Sequence, residues 1–444
     1  MTLLPVAERR STIIALGLPI VGGMLSQNVL NVVDTAMVGT LGDIALAATG
    51  MGGFANFMAI AVVMGLSAGV QAIVARRMGE GSLDYMASAL NAGLVIAVVF
   101  MLPWSALIHW NATALFSALV NDPAVVAEGV PYFRARLLGA VGVGINFAFR
   151  GYWNGVNLPK LYMGTLIVSH VTNLFLNWVL IFGNLGAPEM GTLGAGIASS
   201  VATYVGSLTY VILGFRLARS NGFLRCWPEW SVFQSLVRVA VPASMAQFFL
   251  AAGYTALMWI VGQTGTAPLA AANVLLTVTL VAILPGLAFG LVAASLVGQA
   301  LGRKDIDDAE AWGWDVVRVA CVALTLLGLP MVLMPDLVLS GFLHDPATRE
   351  LATAPLRLVG LTIGLDAVGL VLLNAMYGAG NSRTVLTVGT VMQWGIGLPL
   401  AYIAGPILDL GLLWMWAAMM LYRVGQATTF AIMWKRRNWS TVTL

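Results

Sequence analysis

The chain has 444 residues, of which 59% are hydrophobic and 9% charged, with a formal net charge of +3 and a mean hydropathy of +0.89. Soluble domains carry about 25% charged residues, so this chain has too few charges to cover a surface that faces water. The small positive excess makes no basic footprint, and no nucleic-acid partner is expected.

Apolar segments of about 20 residues or more, enough to cross a bilayer, are predicted near 12–40, 46–75, 86–110, 125–149, 161–183, 193–217, 235–262, 269–300, 310–334, 349–375, 384–405 and 411–434. The first is too long for the apolar core of a cleaved signal and reads as a retained span. It carries Pro19, which removes a backbone hydrogen bond and permits a bend. Further along, Gln27, Asn31 and Asp34 fall at i, i+4 and i+7, on one helix face. Asp34 lies ~33 Å along the helix from Thr12 at ~1.5 Å per residue, nearer the far side of the membrane than the near side. A carboxyl at lipid depth is costly and marks a functional position by default. In the second span Gly65 and Gly69 have the small-xxx-small spacing of tight helix packing.

Asp122-Pro123 reads as an N-cap followed by a first-turn proline at the start of the fourth span. That span opens PYFRARLLG, which puts Tyr132, Arg134 and Arg136 near an interface, where the arginines can snorkel to head groups. The fifth span holds Asn173 and Asn177 at i, i+4. They can hydrogen-bond a carboxyl from the first span or bind helices together. A polar connector, 217–234, separates an N-terminal lobe, 1–216, from a C-terminal lobe, 235–444. In the second half Pro242 sits inside the seventh span. Asp315 and Arg318 form a local pair in the ninth. Asp366 is a second deep acid, in the tenth, with no evident partner and a candidate role in coupling.

The halves repeat at a fixed offset. Pro19 and Pro242 are 223 residues apart, as are Gly39 and Gly262, Gly79 and Gly302, Asp122 and Asp345, and Gly155 and Gly378. VGTLGDIALAA at 38–48 reads against VGQTGTAPLAA at 261–271. Arg134 has a repeat mate, Arg357, whereas the mate of Asp34 is Leu257. Six spans per half is an even number, so both halves enter from the same side. The expected fold is an all-α membrane protein of twelve transmembrane helices, in two six-helix bundles related by a pseudo-two-fold axis along the membrane normal. Lys and Arg gather at the termini and in alternate connectors, which predicts that both termini are cytoplasmic.

No catalytic constellation is evident. His109, His170 and His344 are scattered without metal-ligand spacing, and no phosphate-binding loop of the G-x-x-x-x-G-K-[ST] type occurs. Cys226 and Cys321 read as unpaired thiols, without metal spacing or a disulfide framework. The expectation is a transporter and no enzyme, with no metal and no cofactor. Some of the 21 Met and 14 Trp can line an adaptable cavity.

LPIVGGMLSQNVLNVVDTAMVG (18–39), the paired VGxxG blocks, MGEGSLD (78–84) against LGRKDID (301–307), and the two six-span halves together resemble the multidrug and toxic compound extrusion family, and most closely its DinF-like branch. The resemblance covers nearly the whole chain. It implies a V-shaped pair of bundles and a proton-coupled antiporter of the inner membrane, working as a monomer in the bilayer on amphipathic or cationic drugs. Sodium coupling and lipid-precursor flipping stand as alternatives. Carried over by position, Asp34 matches the coupling acid, Tyr132 a fourth-span tyrosine, Asn173 a fifth-span asparagine, Ser199 a sixth-span hydroxyl and Pro19 a proline linked to bending. Two departures matter. Asn177 stands where many relatives carry a second acid, and Leu250 stands where the NorM-like branch carries a seventh-span glutamate. A C-lobe cation site at Asp366 is therefore incomplete.

Overall fold

The structure, a computed structural model, describes residues 4–225, 227–343 and 345–442. Cys226 and His344 lie outside the described residues, and Cys321 is a free, half-buried thiol. Among the described residues all regular structure is helical. Ten helices are long and apolar enough to cross a membrane: Ala7–Gly39, Asp43–Glu80, Leu83–Trp110, Pro159–Phe182, Gly191–Ala218, Trp230–Gly262, Thr266–Gly302, Ile306–Leu333, Pro346–Gly378 and Ser382–Ile407. Pro123–Leu138 with Ala140–Gly155, and Leu412–Lys435, occupy the places of the fourth and twelfth spans. The fourth carries Glu128, Arg134, Arg136 and Arg150, which lower its apolarity.

The internal repeat extends to the helix boundaries. Ala7–Gly39 and Trp230–Gly262 begin and end 223 residues apart, and so do residues 123–155 and 346–378. The caps recur too. Asp122 Oδ1 accepts from the Ala124 amide at 2.9 Å, and Asp345 Oδ2 accepts from the Thr348 amide at 2.9 Å and its hydroxyl at 2.6 Å. The Thr348 hydroxyl, then the Thr348 amide, hold the exposed Asp345 carboxyl below its ordinary range. The cap therefore contributes above the ordinary aspartate range and is lost as pH falls through the lowered value.

Contacts divide the chain into two compact units, Met1–Val21 with Met245–Leu444, and Gly22–Ser244. Neither division point lies in the 217–234 connector, which falls inside the second of these units. Both lie two residues after a repeated proline, Pro19 or Pro242. Local packing explains this. Before the first division point, Gly17 leaves no room for a Cβ beside the Phe289 ring. After it, Gly22 and Gly23 abut Met163, Tyr162 and Leu166 of the fifth span. In the seventh span Leu236, Ala240 and Ser244 pack on Gly65 and Gly69, and Gly65 N donates to Ser244 Oγ at 2.9 Å. Farther along the same helix, Gly253 meets Gln393.

The small-residue spacing of the second span thus serves a close helix approach. A Cβ at Gly65 would collide with the Ala240 carbonyl, which cannot move aside as a side-chain tip can. Gly65→Val is expected to destabilise the Gly22–Ser244 unit by about 3 kcal/mol, read as a lowered melting temperature in detergent. An unchanged melting temperature would show that this approach is not tight.

Charged residues tie the start of the first helix to the ninth span. Arg9 bonds Asp308 and, at 2.8 Å, Asp315, and its guanidinium lies 4.3 Å from the centre of the Trp312 ring. Asp315 also takes the expected bond from Arg318, at 3.0 Å. Among other small contacts, Asn91 fastens the connector, donating to Gly222 O and accepting from Leu224 N, each at 3.0 Å.

Candidate functional site

Within the Gly22–Ser244 unit a cavity of ≈ 370 Å³ opens between the first, second, fourth, fifth and sixth spans. Asp34 lines it together with Asn31, Tyr132, Arg136, Asn177 and Ser199. The i, i+4 spacing of the fifth span brings both amides to the acid. Asn177 Nδ2 donates to Asp34 Oδ1 at 2.7 Å. Asn173, in the amide orientation its neighbours favour, donates to the same oxygen at 2.9 Å and accepts from Ser199 N at 3.3 Å and Oγ at 3.2 Å. Asn173 and Asn177 are buried, at 3% and 1% exposure. Two donors converge on one carboxylate oxygen, and the arrangement changes when that oxygen gains a proton, because an acceptor becomes a donor.

Arg136 lines the same cavity and acts on Asp34 through its charge. The fourth-span sequence reads equally well as a pair of snorkelling arginines. The two part company in the structure, since Arg134 turns to the Thr113 hydroxyl at 3.3 Å. An Arg four residues after Tyr132, one turn along the same helix face, is the only sequence signal of this placement. Asn56 of the second span is a further cavity residue that sequence reasoning missed. Its Oδ1 is buried without a partner, as is Asn177 Oδ1. Buried polar atoms left unsatisfied are costly, and two of them in one cavity leave acceptors ready for water, an ion or a solute.

Three expected residues behave differently. Tyr132 is buried in the cavity wall, its ring against Gly52 and Gly196, and among the described contacts it makes no hydrogen bond to Asp34. Gln27 lies outside the wall. Its Nε2 donates to Asn31 Oδ1 at 3.2 Å, and its Oε1 faces His170 Nε2 at 3.1 Å. Asp366 has a partner after all: Arg423 Nε donates to its Oδ1 at 3.1 Å, with side chains 2% and 10% exposed. Arg423 stands 57 residues away in the twelfth span, and no local spacing relates the two. The guanidinium is fixed on the carboxylate and joins the tenth and twelfth spans. Pro19 lies within an uninterrupted helix, two residues before the division between units.

A family model described as MatE matches the chain twice, over residues 19–179 and 242–403. The two matches begin at Pro19 and Pro242, at the same offset as the helices. The chain belongs to the MatE family. Among similar proteins, the probable multidrug resistance protein NorM of Mesorhizobium japonicum is 26% identical over 405 residues, covering 88% of this chain and 86% of the relative. The probable multidrug resistance protein NorM of Thermotoga maritima is 25% identical over 448 residues, covering 98% and 94%. A solved structure described as the outward-facing conformation of a multidrug resistance MATE family transporter superposes with a TM-score of 0.89 at 22% identity, covering 97% of this chain and 96% of that one. This MatE protein is thus a multi-pass membrane transporter and no enzyme. Its two matched halves hold the two repeats, and the Asp34 cavity lies in the first.

Proposed function

We propose that this chain is a proton-coupled antiporter that exports amphipathic, often cationic, organic molecules across the inner membrane, with both termini in the cytoplasm. The observation that carries the reading is the Asp34 carboxyl, held by two asparagine amides in a cavity of ≈ 370 Å³. The relatives named as multidrug resistance proteins supply the substrate class. In the cycle, a drug enters the cavity while Asp34 is ionised and accepting from Asn177 and Asn173. After the switch to the outward-facing state, a proton from outside converts the carboxylate to an acid. The acid no longer accepts both amides equally. The polar cluster repacks, the first helix bends near Pro19, and the drug leaves. Proline supplies the weak point, because one backbone bond is already missing there.

Sodium coupling is the second reading, and one feature favours it. The unpartnered Oδ1 atoms of Asn56 and Asn177 stand in the same cavity as the Asp34 carboxylate, a set of oxygens of the type that a hard cation takes.

Efflux of a cationic dye from vesicles containing the purified protein separates the two readings. Proton coupling predicts that a proton ionophore collapses dye export and that removing sodium leaves it intact. Export that survives the ionophore and stops without sodium would overturn the proton reading.

A further inference from the structure

The polar face of the first span does not end at the cavity. Gln27 lies two turns before Asp34, ~10 Å along the axis, and joins His170 of the fifth span at 3.1 Å. The amide oxygen of Gln27 can only accept, so the imidazole carries its hydrogen on Nε2 and keeps a lone pair on Nδ1. Gln27 Nε2 in turn donates to Asn31 Oδ1 at 3.2 Å, one turn from the acid. All the donors in this row point from the imidazole toward Asp34.

The internal repeat separates architecture from chemistry. The mates of His170 and Gln27, at the offset of 223, are Gln393 and Leu250, and they touch in the same way: Gln393 Nε2 donates to Leu250 O at 3.3 Å. The helix contact is therefore built in both halves, in one with a neutral amide on a backbone carbonyl and in the other with an imidazole on a side-chain amide. The fold does not require a titratable ring at 170. The half that has one is also the half that has Asp34.

We propose that His170 is a second holding point for the coupling proton, between Asp34 and the side on which the termini lie. The inference rests on the proton-coupled reading of the same site. The step conserves charge. The Asp34 O–H bond breaks, water in the cavity carries the proton, and an N–H bond forms at His170 Nδ1, giving a carboxylate and an imidazolium. The imidazolium then gives the Nδ1 proton to water on the inner side. Imidazole is the side chain whose ordinary range suits such a relay near neutral pH. Of the charged and titratable groups on the packed elements, four have named contacts or charges. Arg150 bonds Ser67 at 3.1 Å and lies over the rings of Phe147 and Tyr162. Tyr204 donates to Leu138 O, and Tyr210 to Tyr162 O. Asp34 takes the two asparagines, with Arg136 acting on it through charge.

The test is His170→Gln, which installs the side chain of the repeat mate, in vesicles whose inner and outer pH are set separately. With outer pH fixed, wild-type export is expected to fall about tenfold as inner pH drops by one unit through the imidazole range, and export by the variant by less than about twofold. In wild-type protein, the nitrogen-15 signal lost on substitution should titrate between about pH 5 and 8, a readout that does not depend on the variant folding. The proposal is overturned if His170→Gln keeps the wild-type dependence on inner pH, or if the ring does not titrate in that interval. If Asp34→Asn abolishes proton coupling and His170→Gln leaves the profile unchanged, this inference fails alone. If wild-type export is insensitive to pH on both sides, the proton-coupled reading fails with it.

Discussion

Asp34→Asn is expected to abolish uphill drug export while leaving the protein folded. The amide has nearly the same shape as the acid, and its oxygen can still accept from Asn177, now at 2.7 Å from the carboxylate. What it cannot do is gain and lose a proton. One proton moving down 100 mV and one pH unit supplies about 3.7 kcal/mol, enough to hold a neutral drug at a gradient of several hundred-fold. With a monovalent cationic drug, one-for-one exchange moves no net charge. Only the pH part then remains, about tenfold per unit. The variant should lose this whole gradient and equilibrate drug passively at best. Resistance of an efflux-deficient cell to a cationic drug, with the amount of folded protein measured beside it, checks the prediction. Full protection by Asp34→Asn would remove the acid from the mechanism. Asp366→Asn is the companion variant. If it alone abolished the proton dependence, the coupling site would lie in the other unit.

Arg423→Met is the second large effect, and it concerns stability. Arg423 and Asp366 form a buried ion pair, 10% and 2% exposed. Removing one member leaves the other charged and alone, which costs about 3–5 kcal/mol in buried pairs. Replacing both by apolar side chains of similar volume is often close to neutral. Arg423→Met should therefore melt far below the wild type in detergent, and Asp366→Leu combined with Arg423→Met should recover most of the loss. A single variant that melts like the wild type would show that the pair does not brace the tenth and twelfth spans.

The architecture is legible in the sequence because duplication has kept lengths as well as residues. Pro19 and Pro242, the Asp-Pro caps and the paired glycines fix the offset of 223, and the helix boundaries follow it. The division into units is not legible. It depends on which neighbours each end of a long helix meets, such as Phe289 beside Gly17 and Tyr162 beside Gly23, and neither contact leaves a pattern along the chain. The centre of the site is legible for a physical reason. A lone carboxyl at lipid depth needs donors, and two amides at i, i+4 on one later helix are able to supply them. Contacts between distant spans are not. Nothing in the local spacing points Arg423 at Asp366, His170 at Gln27, or Asn56 into the cavity, since each depends on the rotation of a helix about its own axis. Tyr132 shows the converse. Its position in the wall follows from the resemblance, but whether its hydroxyl reaches the acid is decided by a few ångströms of packing against Gly52 and Gly196.

Infrared difference spectroscopy of the reconstituted protein, with Asp34→Asn as the reference, observes the protonation of Asp34 itself. The account predicts a protonated-carboxyl band that grows as the outer solution is acidified, shrinks when a cationic drug is added, and is missing from the variant. A band that ignores the drug, or one that persists in Asp34→Asn, would contradict the exchange of drug for proton at this residue.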